Sequence, residues 1–239
     1  MRYLVTTSYD GSNYNGFQKQ NNGIGIQEEI EKAFKLMTQT EITIHSAGRT
    51  DKGVHAIGQA FHFESDLNIQ PQTWVRLLNS RLPSDIRITS VKEVSSDFHA
   101  RFSAKKKIYH YYIAKKPSTP FNSRYEVYKE LNIKKVKEAA KYLVGTHDFK
   151  GFSKLIKGKP TIKTLYKLKI RSTKKHYIFE FEGNSFLRYM IRSIMGTLIE
   201  IGENKKDPLI IKEILETKER KLAGKTAEAK GLFLVKIFY

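Results

Sequence analysis

The chain predicts an α+β fold of two similar halves, each with the order β-α-β-β-α-β, and three observations carry that prediction. The 239 residues are 40 % hydrophobic, enough to bury one large core or two of modest size. Segments with an apolar residue at every second position alternate with segments of helical period. The same order of segments then occurs twice, which predicts two split βαβ halves side by side, forming a largely antiparallel sheet flanked by helices, with a cleft between them. No sequence similarity links the halves, so the order of elements alone supports the duplication. The basic stretch 103–107 is the expected boundary, giving halves at 1–104 and 105–239.

In the first half, Arg2–Tyr9 (RYLVTTSY) alternates as a strand, and Tyr9-Asp10-Gly11-Ser12 turns out of it. Ile26, Ile30, Ala33, Phe34 and Met37 fall on one helical face, predicting an amphipathic helix over 26–37. Residues 41–46 (EITIHS) and 57–64 predict strands. A short helix at 71–78 turns Trp74, Leu77 and Leu78 inward, and Ile86–Val94 returns as a strand. In the second half, strands are expected at 108–114, 165–170 and 177–182, the last with Tyr177, Phe179 and Phe181 on one face. A helix at 133–144 is stopped by Gly145, and 186–201 is a strongly apolar helix. Asp207-Pro208 opens an extra helix, with Asp as N-cap and Pro in the first helical position. Residues 231–239 close as an apolar strand.

Lys plus Arg is 43 and Asp plus Glu is 24, a formal net charge of +19. Counterion release and steering both scale with cation number, so this excess suits a phosphate backbone as partner. A lysine-rich proteome would raise the charge in the same way. A membrane surface fits less well, because the basic residues are spread along the chain and not gathered on one amphipathic helix. Cysteine is absent, so neither disulfides nor thiolate metal sites exist, and a reducing compartment fits. Residues 1–9 lack the apolar run of a signal peptide and no segment has the length to span a bilayer, so a cytoplasmic location is expected.

The most informative stretch is Gly48-Arg49-Thr50-Asp51-Lys52-Gly53-Val54-His55. Four polar residues are held between two glycines, with Asp51 between Arg49 and Lys52. Nearby cations favour the ionised form of a carboxylate, so Asp51 is the candidate reactive group. Gly and Asp are also what ordinary solvated turns use. The seven histidines offer no ligand set, since His55 and His62 are separated by six residues across a strand, so no metal is expected.

These residues resemble the A family of tRNA pseudouridine synthases, whose signature around the catalytic Asp reads G-R-T-D-x-G-V-H followed by G-Q. Here that is Gly48 to His55 with Gly58-Gln59. Further matches run in the family's order: Tyr9-Asp10-Gly11 with Tyr14, Gly16, Phe17 and Gln18; Leu78-Asn79, Leu82-Pro83 and Asp85-Ile86; Ala100-Arg101-Phe102-Ser103-Ala104 with Tyr109. Gly145-Thr146-His147-Asp148-Phe149 follows, then Phe186-Leu187 with Met190-Ile191-Arg192 and Gly196, and finally Gly231-Leu232 with Leu234. The resemblance implies the pseudouridine synthase fold and isomerisation of uridine to pseudouridine in structured RNA, at tRNA positions 38 to 40 of the anticodon stem-loop. It also implies that the cleft between the two similar halves is basic and that the protein is a homodimer; neither DNA nor a membrane is expected as partner. No atom is added and no electron moved in such a reaction, so no cofactor is expected.

By the same resemblance Asp51 is the catalytic nucleophile. Arg192 keeps it ionised from the apolar run 186–201, where a charge should be paired; an arginine whose stem packs while its head reaches water would look the same. A flipped base needs a shelf to stack on. Tyr109 holds the family's position for that and Leu232 the position beneath the base, while Arg49 contacts phosphate and assists the flip or else caps the loop. Tyr111 and Tyr112 read as strand residues, and turn formation accounts for Asp10. Some positions depart from the pattern: Lys52 stands for a usual Ala, Ser193 for Asn and Lys163 for Arg, and Gly151 replaces a small polar or apolar residue. None removes a catalytic group, though a paralogue acting on another RNA site would carry such changes. Two other classes compete. The element order also suits an RNA recognition motif, yet its glycine and aromatic signature is missing from 59–63 and 177–181. A metal-dependent nuclease would need several carboxylates where this loop offers one.

Overall fold

Alternation along residues 2–9 has a direct structural meaning. In the computed structural model, which describes residues 1–21, 23–154, 158 and 160–239, strand β1 (Arg2–Tyr9) buries Tyr3, Val5, Thr7 and Tyr9 on one face. It lies between β3 (His55–Glu64) and β4 (Ile86–Val94), antiparallel to both, with Val5 opposite Phe61 on one side and Val91 on the other. Helices α1 (Ile26–Thr38) and α2 (Pro71–Asn79) supply the residues covering that face. Phe63 stands at the centre of the core, with Phe34, Trp74 and Tyr3 ring centroids 4.6, 5.1 and 5.2 Å away. Such aromatic pairs each add about 0.5–1.5 kcal/mol beyond the area they bury.

The chain divides into two compact units, the first made of Met1–Lys105 and Phe233–Tyr239, the second of Lys106–Leu232. The expected boundary thus falls one residue later. Strand β10 (Leu232–Phe238) sends its length from Phe233 onward into the first unit, not the C-terminal half as expected, because it pairs in parallel with β3 through Phe233 opposite His55 and Leu234 opposite Ala56.

The second unit repeats the pairing plan of the first. Strand β5 (Lys106–Ala114) runs antiparallel to β9 (His176–Gly183), and β9 runs antiparallel to β8 (Ile162–Ser172). The first unit has the same relation of β1 to β3, and of β3 to β2 (His45–Ser46). Helices α3 (Ile133–Lys141) and α4 (Met190–Gly202) pack on each other, and Tyr111, Phe179, Phe181, Val136, Ile194 and Leu198 are fully buried. The α+β class and the two similar halves are as the sequence predicts.

Several element bounds differ, each for a local reason. Of the strand expected at 41–46 only β2 forms, since the Ile44 amide donates to the Glu31 carboxylate at 3.2 Å and leaves the ladder. Helix α3 ends at Lys141, and Gly145, at φ +123°, starts β7 (Gly145–Asp148), which pairs with β8. Helix α4 begins at Met190 and not at 186, because Tyr189 takes a left-handed conformation at φ 63°. Helix α5 (Ile210–Thr217) starts after a turn in which Asp207 accepts from the Leu209 amide at 2.8 Å. The two-residue strand β6 (Val127–Tyr128) beside β5 has no counterpart in the prediction.

Candidate active site

Residues 47–54 connect β2 to β3 and carry Asp51, half-buried, between exposed Arg49 and Lys52. The loop is braced at each step. Gln59 donates from Nε2 to the Gly48 carbonyl at 2.9 Å while its Oε1 accepts from the Ala60 amide. The Thr50 carbonyl accepts from the Phe17 amide at 3.1 Å, and its hydroxyl shares a 2.8 Å hydrogen bond with Tyr9. The Asp51 carbonyl accepts from the Val54 amide at 3.1 Å, closing a turn in which Gly53 takes φ +75°. Burial pushes the Tyr9 phenol far above its usual range, so Tyr9 stays neutral and serves as a fixed prop.

The first turn of the chain packs directly behind this loop. A Cβ on Gly16 would lie 2.6 Å from the Thr50 carbonyl oxygen and 3.2 Å from the Asp51 carbonyl carbon, and one on Gly11 would lie 2.1 Å from the Val54 carbonyl oxygen. Gly16 also has φ +96°. His55, buried and stacked on Phe233 at 4.6 Å, places Nδ1 3.1 Å from both the Gly11 amide and Asp10 Oδ1. Asp10 in turn accepts from the Ser12 amide and hydroxyl at 2.9 and 2.6 Å, the turn role expected for it. Tyr9, Gly16, Phe17 and Gln59 are therefore supports of the Asp51 loop. All four lie in segments that match the family pattern, and nothing in that pattern signals a supporting role.

The remaining candidates lie in the second unit. Tyr109 sits on β5 opposite Phe181, buried, with its ring edge-on to Phe186 at 5.2 Å. Leu232, 5 % exposed, opens β10 directly after Gly231, whose missing side chain leaves room for the Tyr111 ring. Tyr111 is wholly buried and donates to the Glu228 carbonyl at 2.8 Å, a structural role as expected. Arg192 lies in the first turn of α4 instead of deep within a longer helix. It is half-buried, its Nε donates to the Ala227 carbonyl at 2.8 Å, and its own carbonyl accepts from the Ala227 amide at 3.0 Å. The guanidinium carbon stands 5.4 Å from the Tyr189 ring centroid. Its stem is thereby clamped to the segment that leads into Leu232.

Ser193, the departure beside Arg192, is completely buried and its hydroxyl finds no partner among the described residues. Also among them, no group of three or more His, Asp or Glu side chains is placed to hold a metal ion, and no helix is long and apolar enough to cross a membrane.

Residues 5–103 and 139–239 match the family model described as tRNA pseudouridine synthase. The chain belongs to this family, and so to the isomerases. It is 44 % identical over 239 residues to tRNA pseudouridine synthase A of Phytoplasma mali (strain AT), covering 99 % of this chain and 98 % of that one. It is 44 % identical over 244 residues to tRNA pseudouridine synthase A of Borrelia hermsii (strain HS1 / DAH), with 100 % and 99 % covered. The protein of the same name from Staphylococcus saprophyticus is 40 % identical over 242 residues, with 100 % and 91 % covered.

Proposed function

We propose that this chain converts uridine to pseudouridine in tRNA, at positions 38 to 40 of the anticodon stem-loop, with Asp51 as the nucleophile. The reaction breaks one carbon–nitrogen bond, forms one carbon–carbon bond and moves one proton from carbon to nitrogen. Its balance needs no oxidant and no group donor, so the residues must supply a nucleophile, a way to hold the freed base, and control of charge. The observation that carries the reading is the bracing of Asp51. The residue before it is tied through both carbonyl and hydroxyl, and a glycine-backed turn closes behind it. A reacting carboxylate gains from such pre-organisation, because displacement by about 1 Å costs roughly a hundredfold in rate.

In this reading Tyr109 and Leu232 hold the flipped base between an aromatic face and an apolar shelf. Arg192 supplies the positive charge that keeps Asp51 ionised in a partly dry site. Arg49, exposed beside Asp51, contacts phosphate as the nucleotide leaves the stem. The +19 charge supplies affinity for the RNA as a whole. The protein acts as a homodimer in the cytoplasm.

The test is turnover by Asp51→Asn and Asp51→Ala on tRNA transcripts, with pseudouridine mapped at each uridine. Both variants are expected to lose isomerisation while binding tRNA within a few-fold of wild type. Measurable turnover by Asp51→Ala removes Asp51 as the nucleophile, and wild-type modification confined to another site or another RNA overturns the assigned position.

A further inference from the structure

The second unit contains a cavity of about 290 Å³ that the reaction as described leaves unused. Ser153, Lys154, Tyr189, Ser193, Arg220 and Thr226 line it, so its wall has two cations, three aliphatic hydroxyls and no carboxylate. Arg220 is held in place through Nη1, which donates to the Ala223 and Gly224 carbonyls, and Nη2, which donates to the Thr226 hydroxyl at 3.1 Å. Those acceptors are all neutral, and no ion pair of Arg220 or Lys154 is found among the described residues. The cavity therefore carries two uncompensated positive charges.

A second, independent observation points to a ligand there. Ser193 is completely buried, its hydroxyl has no hydrogen-bond partner among the described residues, and it lines this cavity. An unsatisfied buried hydroxyl costs about 1–3 kcal/mol, a cost removed when an acceptor enters. Ser193 lies in the first turn of α4, a thirteen-residue helix whose N-cap, Tyr189, makes no side-chain capping bond. The positive end of the helix dipole thus adds to the two cations. The ring of Tyr189 also lies under the guanidinium groups of Arg188 and Arg192, 5.0 and 5.4 Å from its centroid. A compact, doubly accepting anion fits this set of donors, and the partner that presents such anions to a +19 protein is a nucleic-acid backbone.

We propose that this cavity binds one phosphodiester of the RNA strand, with Lys154 and Arg220 neutralising it and the Ser193 hydroxyl donating to a non-bridging oxygen. The proposal rests on the tRNA reading above and adds a backbone contact to it. A site of this kind fixes the register of the strand and carries no base information.

The experiment measures tRNA affinity across a salt series for the wild-type protein, Lys154→Gln and Ser193→Ala, with thermal melts of each in chloride and in inorganic phosphate at matched ionic strength. Lys154 is exposed, so its loss leaves the fold intact. Its variant is expected to bind about three- to tenfold more weakly, with a log–log salt slope smaller by about one, as loss of one phosphate contact requires. Ser193→Ala is expected to bind about three- to tenfold more weakly with an unchanged slope. Its melting temperature holds or rises, because an unbonded buried hydroxyl is gone. Wild-type affinity and slope in both variants overturn the proposal and leave the tRNA reading standing. Wild-type protein with no salt-dependent tRNA binding overturns both. If phosphate stabilises wild type but not Lys154→Gln while their tRNA affinities agree, the cavity takes a free anion and the RNA assignment falls.

Discussion

Substituting Gly16 with alanine tests whether the first turn positions Asp51. The added Cβ would stand 2.6 Å from the Thr50 carbonyl oxygen, 3.2 Å from the Asp51 carbonyl carbon and 3.3 Å from the Lys52 nitrogen. All three are backbone atoms, so no side chain can swing aside. The residue also sits at φ +96°, which costs an L-residue about 1–2 kcal/mol. Overpacking adds about 1–3 kcal/mol, for a total of roughly 2–5 kcal/mol. In a chain of this size that lowers the melting temperature by roughly 4–20 °C. The backbone relaxes by moving residues 50–52 away from Gly16, and a shift of about 1 Å at Asp51 costs roughly a hundredfold in turnover. The assay is single-turnover pseudouridine formation on saturating tRNA, read beside a thermal melt. Gly158→Ala is the control, since Gly158 also has positive φ (+79°) but, among the described residues, nothing within 4 Å of its added Cβ. It should lose a little stability and no rate. If Gly16→Ala melts early yet turns over at the wild-type rate, the first turn supports the fold without positioning Asp51, and the bracing argument fails.

Arg192→Met deletes the charge and keeps much of the volume. The fold should hold, turnover should drop by orders of magnitude, and Arg192→Lys should recover part of it without the two-pronged geometry. A near wild-type rate for Arg192→Met with an unshifted pH profile makes Arg192 structural only. Wild-type tRNA affinity should fall with salt at a log–log slope of several units, and a flat titration would assign the +19 to composition and not to phosphate binding. The histidine cluster of the first unit sets an acid limit on stability. Burial first, then the nearby His45, His99 and Arg2, lower His62 from 6.5 to about 4, and burial lowers His99 too. A depressed histidine leaves the unfolded chain binding more protons over that interval, so stability is complete above pH 6.5 and declines as pH falls toward about 4. Melts from pH 7.5 to 4.5 should show that decline and a flatter one in His62→Gln, where the amide oxygen replaces His62 Nδ1 as acceptor for the Ala100 amide. Parallel slopes would remove His62 as its source.

Most of the fold was legible where burial is one-sided. Strand β1 follows a strict alternation of half-buried and buried residues, and its bounds match the prediction. Strand β3 is buried almost throughout, so its apolar run identified it while its start was missed by two residues. The start of α4 was not legible, because Phe186 and Leu187 are as apolar as the helix and the break lies in one dihedral angle at Tyr189. Strands β6 and β7, of two and four residues, are too short for any period. The loop alone marked Asp51 as a candidate, no better than even against an ordinary turn, whereas Tyr109, Arg192 and Leu232 entered only through the resemblance. The supports of Asp51 were illegible as supports, since Tyr9, Gly16 and Gln59 lie in separate segments and meet only after β1 and β3 pair.

The glycines of the matching segments show how each unit holds its functional side chain. Gly11 and Gly16 let two backbone runs meet behind Asp51, closer than any side chain allows. The second unit repeats the device on a helix. A Cβ on Gly196 would fall 1.7 Å from the Lys225 carbonyl oxygen, and one on Gly224 would meet the Gly196 carbonyl at 2.8 Å. The contact is then sealed by polar bonds, with Thr197 accepting from the Gly224 amide at 2.9 Å and Glu200 accepting from the Lys225 amide at 2.9 Å. One turn earlier on the same helix, Arg192 exchanges two hydrogen bonds with Ala227. The clamp on Arg192 and the close approach at Gly196 are therefore one interface, between α4 and the run 223–227. A bulky residue at 196 would push that run outward, and the Ala227 contact that orients the guanidinium would go with it. In both units, backbone packed against backbone limits the motion of the group assigned to the chemistry, and side-chain hydrogen bonds from Tyr9 and Gln59 in the first unit and from Thr197 and Glu200 in the second add to that limit.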